Sequence, residues 1–349
     1  MKVVLSAFLM LIFILSAAPA TFAALSVSNL KCEYKINPVG IDVEKPRLSW
    51  IIESDKRGVL QSAYELRVAP TEKDVKSGKN LSWDTGKVMS DQSIHVEYTG
   101  PALESRQRVF WQVRVWDNNG KKSGWSEPAF WETGLLNSSD WSAQWIHPNI
   151  KEDVSTSNPA QMLRKEFSLD GKITSARVYV TSLGLYELEL NGARVGDEVL
   201  TPGWTAYEDR IQYQVYDVTP LLQDGENAVG AILGDGWYRG NIGFRGQRNA
   251  YGDKLALLFQ MHIDYADGAS EVVISDDSWT ASTGPILASD IYNGETYDAR
   301  LEKEGWSTAN YDDSDWTPVV IFPNPESEII ASQGAPIRKI EEIKPIEIM

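Results

Sequence analysis

Short runs in which apolar and polar residues alternate, each closed by a turn cluster, recur along most of this chain, and no long helical period interrupts them. Pro46–Trp50, Tyr64–Val68 and Trp111–Val115 have the period of a half-buried strand. Asp117-Asn118-Asn119-Gly120 closes the third run as a turn, and Trp125-Ser126-Glu127-Pro128 leads into a further strand, Ala129 to Glu132. Later runs are Ala176–Val180, Leu185–Leu190, Ala228–Leu233, Leu255–Tyr265 and Glu271–Ser275. Asn191-Gly192 after Leu190 is the strongest short hairpin signal, and Asp267-Gly268 turns the last two runs into a second hairpin. The pattern dictates an all-β fold. At 349 residues the chain exceeds one typical domain. It divides into a fibronectin type III/Ig-like sandwich over residues 26–135 and a larger jelly-roll (galactose-binding-like) β-sandwich over residues 141–322. Polar residues from Asn137 to Asp140 mark the break between them. From Ser332 a β pattern returns, with Ile337, Ile340, Ile343, Ile346 and Ile348 spread among Lys and Glu, and residues 332–349 read as the start of a truncated next domain.

The N-terminus has the grammar of a secretory signal. Lys2 precedes an apolar run from Val3 to Ala18, and Thr21-Phe22-Ala23 places small residues at −3 and −1 of a cleavage site after Ala23. The run is short for a membrane span. The mature chain is therefore expected outside the cytoplasm, secreted or periplasmic, with no membrane attachment after cleavage. Cys32 is the only cysteine, so no intrachain disulfide can form and folding must rest on core burial. The alternation Leu30, Cys32, Tyr34, Ile36 turns Cys32 inward along a strand. His95, His147 and His262 show no metal spacing. A formal net charge of −16 argues against nucleic acid as a partner and is compatible with a neutral carbohydrate.

Gly234-Asp235-Gly236-Trp237-Tyr238-Arg239-Gly240 sets two large aromatics and a guanidinium between glycines, which let the backbone turn sharply. Two readings stand side by side. An outward Trp or Tyr offers an apolar face and a polar edge suited to a sugar ring, whereas an inward one caps the sandwich core. Sugar sites combine such a platform with planar polar side chains. Trp204, Tyr207, Trp237, Tyr238, Arg239, Asn293 and Glu295 are the available types in predicted loops. Asp290, Glu295 and Asp298 also lie close in sequence. Paired carboxylates can split their pKa values for acid–base work, or they can pair with Arg300, Arg239 or backbone amides to hold a long loop.

Several stretches together resemble the front of bacterial α-L-rhamnosidases of glycoside hydrolase family 78. In the first unit these are Asn37–Asp42, Pro46–Trp50, Trp83–Val88 and Trp111–Asp117. In the second they are Leu190-Asn191-Gly192, Thr201–Thr205, Tyr216–Thr219, Gly234–Gly240 and Asp290–Arg300. The resemblance implies rhamnose-containing glycans or glycosides as ligands. It also implies a catalytic (α/α)₆ barrel that carries the family's acidic pair in a part not matched here, so no residue of this chain inherits a catalytic role. A scaffold and carbohydrate-binding portion of an exported rhamnosidase is then expected, with a separately encoded catalytic domain as one partner. The alternative is a stand-alone binding or docking protein without enzymatic activity. No cofactor is called for, although some jelly rolls of this family bind rhamnose through calcium. Asn191, Asp197 and Glu198 could supply oxygen ligands, but their spacing does not specify a cage.

Overall fold

The computed structural model describes residues 25–243 and 246–347; the signal-like segment lies outside the described residues. The first unit is a two-layer sandwich. One sheet holds Ser26–Cys32, Arg47–Glu53 and Val96–Glu97; the other holds Trp83–Asp84, Gln61–Ala69, Arg108–Asp117 and Ala129–Glu132 in that order. Alternation places Leu48, Trp50, Leu66, Val68, Trp111, Val113 and Trp131 in one core between the layers. The second unit is a longer, largely antiparallel sheet folded into two layers. Gln161–Leu169, Leu185–Leu190 and Gly225–Gly234 face Ile173–Leu183, Arg210–Asp217 and Ala256–Tyr265 across a core that includes Leu163, Leu188, Ala231, Val180, Leu257 and Phe259. Asn191 (φ 52°) and Gly192 (φ 79°) form the expected two-residue hairpin, with Leu190 opposite Ala193. Gly268 (φ 90°) turns Ala256–Tyr265 back into Ser270–Ile274. No helix of the described residues is long and apolar enough to cross a membrane.

Two stretches depart from the alternation reading. The first strand stops at Cys32. Glu33 (φ 47°) and Tyr34 (φ 65°) adopt left-handed conformations, and Cys32 and Lys35 exchange backbone hydrogen bonds of 3.0 and 2.9 Å. This is a tight reversal without the usual glycine or asparagine, and it leaves Tyr34 and Ile36 exposed. Cys32 itself is buried as expected, and burial pushes its thiol pKa up. At the other end, Glu328–Ala331 pairs in parallel with Arg210–Asp217. No strand follows among residues 332–347, and Ile340, Ile343 and Ile346 are fully exposed. Their spacing of three matches no strand face, and Pro336 and Pro345 lack the N–H a ladder needs.

The two sandwiches are locked together. Glu132, on the last strand of the first unit, accepts from Arg177 Nε of the second at 2.9 Å and from Arg108 Nε at 2.9 Å. Tyr213 Oη accepts the Leu135 amide at 3.1 Å, and Asp42 accepts the Ala331 amide at 2.6 Å. Gly40 (φ 79°) lies so close to Val215 that a Cβ would sit 2.3 Å from its Cγ2. Arg106 reaches Asp264 across the same joint at 3.1 Å. Glu132→Ala leaves the buried Arg177 charge partly uncompensated and is expected to cost about 3–5 kcal/mol in denaturant unfolding.

His262 lies beside this joint, edge-on to Tyr179 with ring centroids 5.7 Å apart. Burial, reinforced by the Arg106 charge and opposed by Asp264 and Asp140, pushes its pKa down to about 4. The unfolded imidazole titrates near 6.5, so between these values the unfolded chain binds a proton that the folded chain refuses. The resulting stability is complete above about pH 6.5 and is lost as pH falls toward 4. Melting temperatures from pH 7 to 4 should therefore fall less in His262→Gln than in the parent chain.

Candidate functional site

The glycine-bracketed segment forms one helical turn, Gly236–Arg239, directly after the strand Gly225–Gly234. Gly236 is required here: its φ is +56°, and a Cβ would lie 2.5 Å from Leu185 Cγ. The turn sends consecutive side chains in different directions. Tyr238 is buried with Tyr207, their rings edge-to-face at 5.2 Å, and Tyr207 also packs on Tyr251 at 5.0 Å. Tyr207 donates its hydroxyl to Gly203 O at 2.8 Å, and burial pushes its pKa up. Trp237 instead lies at the margin of this cluster and stacks on Trp204, with centroids 5.9 Å apart and planes 7° from parallel. Trp204 is 51% exposed, and its Nε1 donates to Tyr251 Oη at 3.1 Å. The outcome is a fixed, half-exposed indole platform over a buried tyrosine cluster.

Arg239 is not a loop side chain free for a ligand. It is fully buried, and its Nε donates to Asp235 and its Nη1 to Glu152, both at 2.6 Å. Burial opposes its charge, but the bonds to Glu152 and Asp235 outweigh this and raise its pKa. Arg248 extends the network, donating to the other Asp235 oxygen at 2.8 Å and lying 3.4 Å from Asp290. Tyr238 and Tyr207 likewise belong to the interior, as the core-capping reading requires. Arg248, Tyr251 and Glu152 went unrecognised as site residues because no local pattern marks them. Gly252 packs against the same cluster, where a Cβ would lie 2.1 Å from the Tyr238 hydroxyl.

Asp290 roots a two-stranded hairpin, Ile286–Asp290 with Gly294–Tyr297. One oxygen accepts the Tyr292 and Asn293 amides, each at 3.0 Å; the other accepts Asn241 N at 2.8 Å and Asn241 Nδ2 at 2.9 Å. Burial alone would raise this carboxyl, but the amide bonds outweigh it and hold it below the usual carboxylate range. A carboxylate so fully engaged and ionised holds no proton to give. Asp298 accepts from its neighbour Arg300, and Asn293 and Glu295 project exposed from the hairpin. Asp290 and Asp298 thus hold the loop, through Arg248, Arg300 and backbone amides and not through Arg239. The bonds between Asn241 and Asp290 tie the hairpin root to the turn that carries Trp237.

The three oxygen donors considered for calcium do not fit a cage. Asn191 Oδ1 accepts the Ala228 amide and its Nδ2 donates to Leu221 O and Asn227 Oδ1. Asp197 and Glu198 pair with Arg338. Among the described residues, no group of three or more His, Cys, Asp or Glu side chains is placed to hold a metal ion.

Two family models match the chain. Residues 27–137 match the Rha78A-like, N-terminal immunoglobulin domain, and residues 171–341 match the alpha-L-rhamnosidase N-terminal domain. An α-L-rhamnosidase of Formosa agariphila is 40% identical over 294 residues, which cover 82% of this chain and 32% of the relative. The structure of Streptomyces avermitilis α-L-rhamnosidase complexed with L-rhamnose superimposes with a TM-score of 0.86 at 31% identity, over 91% of this chain and 47% of that one. That from Dictyoglumus thermophilum gives 0.83 at 37% identity, over 92% and 37%. The chain thus spans about a third to a half of the length of the relatives it matches. The sequence alignment with the Streptomyces relative runs over 492 residues, more than this chain's 349, so that relative carries inserted sequence within the matched span.

Asp290→Ala strips the hairpin root of its acceptor. It is expected to cost about 1–3 kcal/mol and to open residues 291–297 to limited proteolysis at doses that leave the parent chain whole. An unchanged cleavage pattern would show that the root is held by something else.

Proposed function

The chain belongs to the α-L-rhamnosidase family through its N-terminal immunoglobulin-like and rhamnosidase N-terminal domains, and from that premise we propose that it is a non-catalytic portion of an exported rhamnosidase, serving as scaffold and as carbohydrate-binding module. The Trp204–Trp237 stack carries the binding half of this reading. A sugar ring has an apolar C–H face that packs on a flat aromatic surface, and a deoxy sugar such as rhamnose adds a methyl group to that face. Trp204 supplies the surface, Trp237 backs it, and Tyr251 fixes the indole through Nε1. Little rotational freedom remains to be lost on binding, which favours affinity. The scaffold half is supported by the locked joint at Glu132 and by the engagement of Asp290 and Asp298 in structural bonds.

Isothermal calorimetry with L-rhamnose tests the binding half. Saturable heat is expected that is unchanged by chelator, since the candidate calcium donors are occupied by protein partners. Trp204→Ala should weaken binding about tenfold or more, a loss of about 1.4 kcal/mol. Trp237→Ala should weaken it less, because Trp237 acts from behind. No heat at any concentration would leave the scaffold role alone.

A further inference from the structure

We propose that the hairpin Ile286–Tyr297, with the turn that follows it to Leu301, is a protein-docking surface whose occupant is the remaining part of an α-L-rhamnosidase chain. The inference rests on the scaffold reading above and goes beyond it by naming the surface. Four large apolar side chains stand exposed within eleven residues: Ile291 at 38%, Tyr292 at 61%, Tyr297 at 51% and Leu301 at 45%. The two strands pair only with each other, and every residue of Gly294–Tyr297 is exposed. An isolated two-stranded hairpin is marginally stable in water, and an uncovered edge invites association. This hairpin is nevertheless rigidly rooted. Asp290 accepts from the Tyr292 and Asn293 amides of the tip and from Asn241, the Asp298 amide donates to Pro285 O at 2.8 Å, and Ile286 O accepts the Ala160 amide at 2.9 Å. An ordered, projecting, apolar element is built to be covered.

The relatives identify what covers it. Each carries half or more of its length outside the matched region, so the front domains of those enzymes have a large neighbour. The hairpin projects, whereas small ligands are held in concave pockets. A second copy of this chain would bring together two molecules of net charge −16, with Glu295, Glu302 and Glu304 at or beside the hairpin. The fitting partner is a folded surface with an apolar patch and neutral or basic surroundings.

Hydrogen–deuterium exchange tests this on the isolated chain and on a hybrid in which the chain replaces the matching region of the 40%-identical Formosa agariphila relative. Amides of residues 291–301 are expected to be at least about tenfold better protected in the hybrid. The double substitution Tyr292→Asp with Tyr297→Asp should abolish that protection while leaving the melting temperature of the isolated chain unchanged. A hybrid that hydrolyses rhamnosides while the hairpin exchanges as fast as in the isolated chain overturns the docking surface and leaves the scaffold reading standing. A folded but inactive hybrid with an unprotected hairpin overturns both. Should the hybrid not fold, a graft of residues 290–302 alone into the relative decides in the same way, protection supporting the proposal and its absence refuting it. A dimeric isolated chain whose hairpin is already protected assigns the surface to a second copy and also refutes it.

Discussion

A guanidinium removed from water must find acceptors, and three that find carboxylates organise this molecule. Arg164, Arg177 and Arg239 are each less than a tenth exposed, and each holds two acids. Arg164 takes Glu166 from its own strand and Asp313 from far along the chain, and it also donates to Trp306 O and Thr308 O. It thereby fixes the loops that carry the stacked Trp306 and Trp316 over Met162. Arg177 takes Asp217 from its own sandwich and Glu132 from the other. Arg239 takes Asp235 from its own turn and Glu152 from a loop some 87 positions earlier. Each cation ties a local element to a remote one. In a chain with a single cysteine these ties do what disulfides do in stapled sandwiches.

The same constraint separates the site into an inner and an outer layer. Arg239, Asp235, Arg248 and Asp290 form the inner layer and are consumed by one another. Because nearly all of their bonds are made within the protein, with Arg248 Nε left without a partner, they are poor ligand donors but good anchors. What they anchor lies outside them: the Trp237 turn on one side and the hairpin root on the other. A recognition element of fixed geometry needs this kind of support. The residues that catch the eye in the sequence are therefore split between those that hold and those that face outward.

The fold was legible because strand alternation and turn chemistry are local. Asn191-Gly192 and Asp267-Gly268 each made the expected hairpin, with Asn191, Gly192 and Gly268 at positive φ. The reversal at Glu33-Tyr34 was not legible, since nothing in that pair announces two left-handed residues; the close packing of Gly40 on Val215 belongs to the interface that frames it. The isoleucines after Ser332 misled because hydrophobicity without a period of two does not make a strand. In the site, residue type pointed to Trp204 and Trp237 but could not separate them from Tyr207, Tyr238 and Arg239. That separation depends on Glu152, Tyr251 and Arg248, whose proximity only the tertiary fold creates.

The family resemblance and the physical reading meet at Asp290. In sequence it is an acid among acids, a reasonable candidate for proton transfer. In the structure its oxygens are filled by amides and a guanidinium, and its ionised form is the favoured one. A general acid needs the opposite: a carboxyl whose environment favours the proton and whose oxygen faces a substrate. The environment that leaves Asp290 without a proton to give makes it effective as a root, because an ionised acceptor forms stronger bonds to amides than a neutral one. A strongly patterned acidic loop can thus be a device for holding shape, and charge state, more than residue type, decides which of the two it is.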